Sequence, residues 1–217
     1  MKTLDELKVA ENTLVIVTSD NGPEVTAVVN MRRDHNHDGA RPWRGMKRDN
    51  WEGGHRVPLI VQWPGKVAAG TTSDQIVSLC DVFMTAVELL GTRVPNDSAE
   101  DSFSLLPVLA GKQREPIRPY LLQQAFSGAK SLAIRRGQWK YLAHEGSGGN
   151  NYQTHPELKA FSIPDNAPAA TGQLYDLQAD PGEVTNLALV HSEIAAELDA
   201  LLKNSIASGR SRPSEGN

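Results

Sequence analysis

A single cysteine among 217 residues excludes an internal disulfide and a thiolate metal cluster. That residue, Cys80, sits in the apolar run Ile76-Val-Ser-Leu-Cys-Asp-Val-Phe83, and an apolar setting raises a thiol's pKa, so it reads as buried and inert. No apolar stretch approaches the roughly 18 residues of a membrane span. Met1 opens onto the polar Lys2-Thr-Leu-Asp-Glu-Leu-Lys8, which lacks the apolar centre of a signal peptide and leaves the compartment open. Positive charge is also short, with 22 Lys and Arg against 26 Asp and Glu. A generic nucleic-acid binder needs a basic surface, so that class is excluded. There is no internal repeat.

What is present suits a globular chain long enough for a substantial core. Residues 2 to 8 are expected to form a short helix. Leu14 to Val17 are apolar and rich in β-branching, and Leu59-Ile-Val-Gln-Trp63 repeats the pattern before Pro64-Gly65 stops it. Such runs suit strands buried on both faces, as in a parallel sheet, where ligands gather at the carboxyl ends. From Ile76 to Leu90 the apolar positions recur at helical spacing, with Ser78 or Asp81 as a cap and Gly91 as terminator. Pro107, Pro116 and Pro119 mark a boundary. Beyond it lie strand-like pieces at 120–125, 131–135, 139–143 and 173–177, with a hairpin turn at Arg136-Gly137. The connection 145–172 is long enough to be functional or disordered. Residues 192–206 form a helix with Leu198, Leu201 and Leu202 on one side. The expected fold class is α/β, with part of a mostly parallel sheet flanked by helices. A small C-terminal subdomain adds an antiparallel sheet and a closing helix. The expected boundaries are 1–118 for the α/β core, 119–207 for the subdomain, and 208–217 for a disordered tail.

Two stretches carry chemistry. Ser19-Asp20-Asn21-Gly22-Pro23 offers a carboxylate and an amide oxygen, which suit hard cations such as Ca²⁺ or Mg²⁺ better than zinc. Both can face one ion only if the backbone bends, which Gly22-Pro23 would allow; the same residues are also a common turn signal. Lys47, between Arg44-Gly-Met46 and Glu52-Gly-Gly-His-Arg56, is a compact cation for a phosphate or sulfate oxygen, or simply a solvated side chain. Glu52 and Arg56 are expected to pair and shape this loop. His35 and His37 lie in the polar run 24–40, read as a solvated loop, where they could contact a metal or a substrate.

These residues resemble the sulfatase family of the alkaline-phosphatase-like superfamily. The matching stretches are T-L-V-I-V-T-S-D-N-G-P at 13–23 and R-G-M-K-x4-E-G-G-H-R-V-P-L-I-V-Q-W-P-G at 44–65. Further matches are D-V-F-M-T-A-V-E-L-L-G at 81–91, R-R-G-Q-W-K-Y-L at 135–142 and L-Y-D-L-Q-A-D-P-G-E-V-T-N-L-A at 174–188. The resemblance implies that Asp20 and Asn21 are two ligands of an active-site calcium. It implies that Lys47 is a catalytic residue that binds a sulfate oxygen. Asn21 points to the one-cation sulfatases, because two-zinc relatives tend to carry histidine there. Family members attack with a formylglycine made from Cys-x-Pro-Ser-Arg or Ser-x-Pro-x-Arg near the amino terminus. Cys80 precedes Asp81-Val-Phe-Met84, and Ser211-Arg-Pro-Ser-Glu215 ends in the wrong residue. The chain is therefore expected to correspond to a sulfatase's carboxyl-terminal portion, inactive by itself. Its expected partners are a sulfate ester, such as a sulfated carbohydrate, and a missing amino-terminal half or an oligomer mate. Relatives are often exported. Two alternatives stand beside this: a non-catalytic module binding sulfated glycans or a partner through Trp43, Trp51 and Trp63, and a phosphodiesterase of the same superfamily.

Overall fold

The computed structural model describes residues 1–214. In chain order its elements are α1 (Lys2–Glu6), β1 (Val15–Thr18), α2 (Val25–His35), α3 (Glu52–His55), β2 (Leu59–Gln62) and α4 (Asp81–Leu89). There follow α5 (Leu106–Leu109), β3 (Leu121–Gln124), β4 (Leu132–Arg136), β5 (Trp139–Leu142), β6 (Gln173–Asp176) and α6 (Ser192–Ser208). The class is mixed α/β. The chain divides into two compact units: Met1–Ser19 with Pro58–Leu121 and the residues from Gly209 on, and Asp20–Val57 with Leu122–Ser208.

In the first unit β1 and β2 pair antiparallel, from Val15↔Gln62 to Thr18↔Leu59. This corrects the parallel arrangement expected for these two strands. They are not buried on both faces either: Val17 and Ile60, opposite each other, are 54% and 60% exposed. An apolar run records an aversion to water; strand direction depends on the path of the 40 residues between, which local composition does not encode. Helix α4 begins at Asp81, five residues later than the apolar spacing suggested. The buried Asp81 carboxylate accepts the backbone N–H groups of Ser78 (2.7 Å) and Phe103 (2.9 Å) and pairs with buried Arg118. These bonds hold the preceding residues in a turn. Cys80 falls in that turn and is exposed, not buried, with Sγ 3.3 Å from the Asp101 carbonyl. The stretch expected as a free tail is partly tied down: Ser211 bonds the Asp101 carboxylate through its N–H (2.8 Å) and hydroxyl (2.7 Å), and Arg212 N donates to Glu100 O (2.8 Å). Residues 215–217 of that stretch lie outside the described residues.

In the second unit the sheet order is β3-β4-β5-β6, with β4–β5 and β5–β6 antiparallel as the sequence suggested. The register Arg136↔Trp139 leaves a two-residue turn whose Gly137 has φ +57°, a conformation glycine adopts without strain. Helix α6 closes over β4 and β5, burying Leu198 and Leu202. The run 24–40, expected as a solvated loop, instead contains α2. Val25 and Val28, three residues apart, are buried, and the Glu24 carboxylate caps the helix by accepting Val25 N–H at 3.0 Å. Val28, Met46 and Trp51 pack with Leu142, Leu158 and Tyr175 in one core. Segment 20–57 thus packs in the same compact unit as the C-terminal sheet. The connection 145–172 is likewise packed, through Tyr152 and Leu158.

Candidate functional site

The pair Thr18↔Leu59 sets the end of β1 beside the start of β2, so the excursion between them leaves and returns at adjacent points. Within the second unit its two chemical stretches meet. Gly22 N donates to Gly54 O at 2.9 Å, and Lys47 N donates to Pro23 O at 3.0 Å. Glycine makes the approach possible. A Cβ on Gly22 would lie 1.8 Å from Gly53 O, one on Gly53 2.3 Å from Gly45 O, and one on Gly54 2.1 Å from Asp49 O. Backbone packs directly on backbone here, which no other residue permits. The exposed Asp20 and half-buried Asn21 immediately precede this contact.

The turn carrying Lys47 is held by buried Asp49. One Asp49 oxygen accepts Met46 N–H at 3.0 Å and the Tyr152 hydroxyl; the other accepts the Asn150 backbone N–H and side-chain amide, each at 2.9 Å. Asn150 Nδ2 also donates to Lys47 O at 2.9 Å. Arg48 holds φ +89°, a left-handed conformation that costs an ordinary residue about 1–3 kcal/mol and persists only where surroundings over-determine it. Its guanidinium grips Glu24 with two bonds of 2.6 and 2.9 Å, which hold the Glu24 carboxyl below its ordinary range. Lys47 Nζ lies 3.8 Å from the same carboxylate, both side chains being about two-fifths exposed. The ammonium can exchange that loose partner for an anion.

Below the turn lies a buried ion cluster. Glu52 meets Lys140 Nζ at 2.9 Å, Arg135 at 3.1 Å and Arg56 at 3.2 Å, so the expected Glu52–Arg56 pair is present within a larger network. Lys140 also meets Glu183 at 3.1 Å, and Glu183 accepts the Glu52 backbone N–H at 2.6 Å. Burial by itself would raise the Glu52 carboxyl, but Lys140 and Arg135 hold it down at about 2. Burial pushes Glu183 up to about 7; Lys140 opposes this and the neighbouring Glu52 adds to it. Sequence reasoning missed Lys140 and Glu183. The available signal was strand alternation, which puts Lys140 on the face of buried Leu142 and so demands an acidic partner. Beside the cluster, His55 Nε2 bonds Asn50 Oδ1 at 3.1 Å, and Asn50 Nδ2 reaches His144 Nε2 at 2.9 Å. Burial, then Lys140, pushes His55 down to about 4.

His35 ends α2 and His37 follows Asn36, whose φ is +50°; both imidazoles are exposed. The neighbouring acids are engaged elsewhere, Asp34 with Arg33 and Asp38 with Ala40 N and Arg41. Among the described residues no three His, Cys, Asp or Glu side chains form a metal-holding group. Asp20 and Asn21 do offer the oxygen donors that a hard cation takes, on backbone bent at Gly22. They would supply two of the roughly 6–8 ligands calcium needs.

The sulfatase family model matches residues 1–92. Over 207 residues the chain is 38% identical to an N-acetylgalactosamine-6-O-sulfatase of Bacteroides thetaiotaomicron, covering 94% of this chain and 38% of that protein. Over 203 residues it is 30% identical to the N-acetylgalactosamine-6-sulfatase of Canis lupus familiaris, covering 89% and 37%. A solved structure from work on the metabolism of multiple glycosaminoglycans by B. thetaiotaomicron superposes with a TM-score of 0.77 at 37% identity, over 94% of this chain and 41% of that one. The chain spans less than half the length of each. With its motifs in family order and this likeness along nearly its whole length, the chain belongs to the sulfatase family.

Proposed function

We propose that this chain supplies the carboxyl-side half of a site that hydrolyses sulfate esters, with 6-O-sulfated amino sugars as the substrate class. The observation that carries the reading is the pair of backbone contacts, Gly22 to Gly54 and Lys47 to Pro23, that joins the two stretches. Lys47 would bind a sulfate oxygen and stabilise charge as the S–O bond breaks. Asp20 and Asn21 would hold calcium, whose charge neutralises the sulfate. The sugar class is supported by the N-acetylgalactosamine 6-sulfatases among the relatives. The formylglycine motif is absent from the 217 residues, so the isolated chain turns over nothing and works with an amino-terminal complement. The exposed Val17 and Ile60 pair is the apolar surface such a complement would cover.

Incubating the purified chain with an aryl sulfate tests the second claim: no phenol release is expected, and release would overturn it. Titrating 6-O-sulfated N-acetylgalactosamine tests the first. Binding that depends on Asp20 and Lys47 supports the site; tight binding independent of both favours a non-catalytic glycan module. That module has less surface than its tryptophans suggested, because Trp51 is buried with the Arg44 guanidinium 3.6 Å from its ring.

A further inference from the structure

We propose that Phe126 is a specificity-determining residue, the apolar wall against which the ring of a sulfated sugar lies while its sulfate meets Lys47. This rests on the reading of Lys47 as the sulfate-binding cation. Phe126 follows β3 in a turn bonded at every residue. Ala125 N donates to Ser131 O (3.0 Å), Phe126 N to Arg48 O (3.0 Å), Ser127 N to Gly148 O (3.0 Å) and Gly128 N to Ala125 O (3.1 Å). The anchor of Phe126 is therefore the carbonyl of the residue next to Lys47. On this fixed backbone the side chain is 77% exposed.

A solitary exposed apolar residue on a surface means nothing by itself. Here three segments converge on it. The 147–150 backbone is pressed against both others: a Cβ on Gly149 would lie 2.2 Å from Arg48 O, and one on Gly148 2.9 Å from the Ala125 Cβ. Asn150 in the same segment holds Lys47 O. The turn holds an exposed aromatic side chain one backbone hydrogen bond from Arg48, the neighbour of Lys47, on a backbone with little ordering left to do on binding. A sulfated pyranose has matching parts: an anionic group for the lysine and an apolar C–H face for the phenyl ring. Binding sites are commonly built of apolar walls with a few placed polar groups.

The test is calorimetric titration of the full chain, in calcium, with 6-O-sulfated N-acetylgalactosamine and with inorganic sulfate. Phe126→Ala is expected to weaken the sugar about tenfold and leave inorganic sulfate unchanged, with no shift in melting because the side chain is exposed. Phe126→Trp is expected to retain the sugar. Lys47→Ala is expected to weaken both ligands. If Lys47→Ala loses sulfate while Phe126→Ala binds the sugar normally, the role of Phe126 falls and that of Lys47 stands. If Phe126→Ala loses both ligands, Phe126 supports the Lys47 turn and does not select the sugar. If Lys47→Ala leaves both ligands unaffected, the sulfate site itself is wrong.

Discussion

Lys140 serves two carboxylates at once, Glu52 at 2.9 Å and Glu183 at 3.1 Å, with no exposure to solvent. Lys140→Met would leave Glu183 without its cation in the interior. Removing one partner of a buried pair costs about 3–5 kcal/mol, so a large fall in the denaturant midpoint is expected. Retention of wild-type stability would show that the cluster is dispensable. The pH dependence follows from the same residues. His55 titrates near 4 in the folded chain, below its ordinary 6.5, so its contribution is complete above pH 6.5 and lost as pH falls towards 4. Glu52, held at about 2, contributes fully above 4.5 and loses its contribution between 4.5 and 2. Glu183 acts the other way, its stability present below 4.5 and lost as pH rises through 7. His55→Gln should therefore flatten the acid loss between pH 6.5 and 4, by an amount on the order of 2–3 kcal/mol. Chemical denaturation at several pH values measures it. At this scale the Glu52–Arg56 pair could be read from the sequence because its members are four apart. Lys140 and Glu183 lie 88 and 131 residues from Glu52, and only the fold makes them neighbours.

Among elements, the decisive contact is the backbone of the loop between β1 and α2 against that of α3. Gly22→Ala sets a methyl carbon on Gly53 O, a backbone atom that cannot step aside. A loss of about 3 kcal/mol is expected, the upper end for overpacked interiors, together with separation of Asp20 and Asn21 from Lys47. Gly65→Ala is the control: its φ is +72° with open space around it, so only the left-handed backbone cost of about 1–2 kcal/mol applies. Melting temperatures of the two variants compare them directly, and equal shifts would remove the close-approach explanation. The hairpin, the four strands of the second sheet and α6 were legible because their signals are local: alternation, a turn glycine, an apolar stripe. Helix α2 was hidden because Val25, Thr26, Val28 and Val29 are β-branched and weak helix formers, and only Val25 and Val28 of the helix are buried. The direction of β1 relative to β2 was hidden because pairing is a long-range choice.

For the whole molecule, the apolar surface left in water is informative. Val17 and Ile60 face the same way on a two-stranded sheet, and an open sheet edge is a template for pairing. Self-association is expected to grow with concentration in sedimentation velocity, and Val17→Lys with Ile60→Lys should shift the chain towards monomer. A wild-type chain that stays monomeric throughout would contradict this. The family was readable from its motifs, which lie along most of the chain. The division into units was not, because segment 20–57 joins the C-terminal sheet through a core that no local pattern announces.

The most direct measurement is calorimetric titration of 6-O-sulfated N-acetylgalactosamine into the chain, with and without calcium, for wild type, Asp20→Ala and Lys47→Ala. Calcium-dependent binding is expected in the wild type, lost in Asp20→Ala and weakened about tenfold or more in Lys47→Ala, as for removal of a charged partner. Binding of equal strength in all three, or indifferent to calcium, would contradict a shared calcium and sulfate site at Asp20, Asn21 and Lys47.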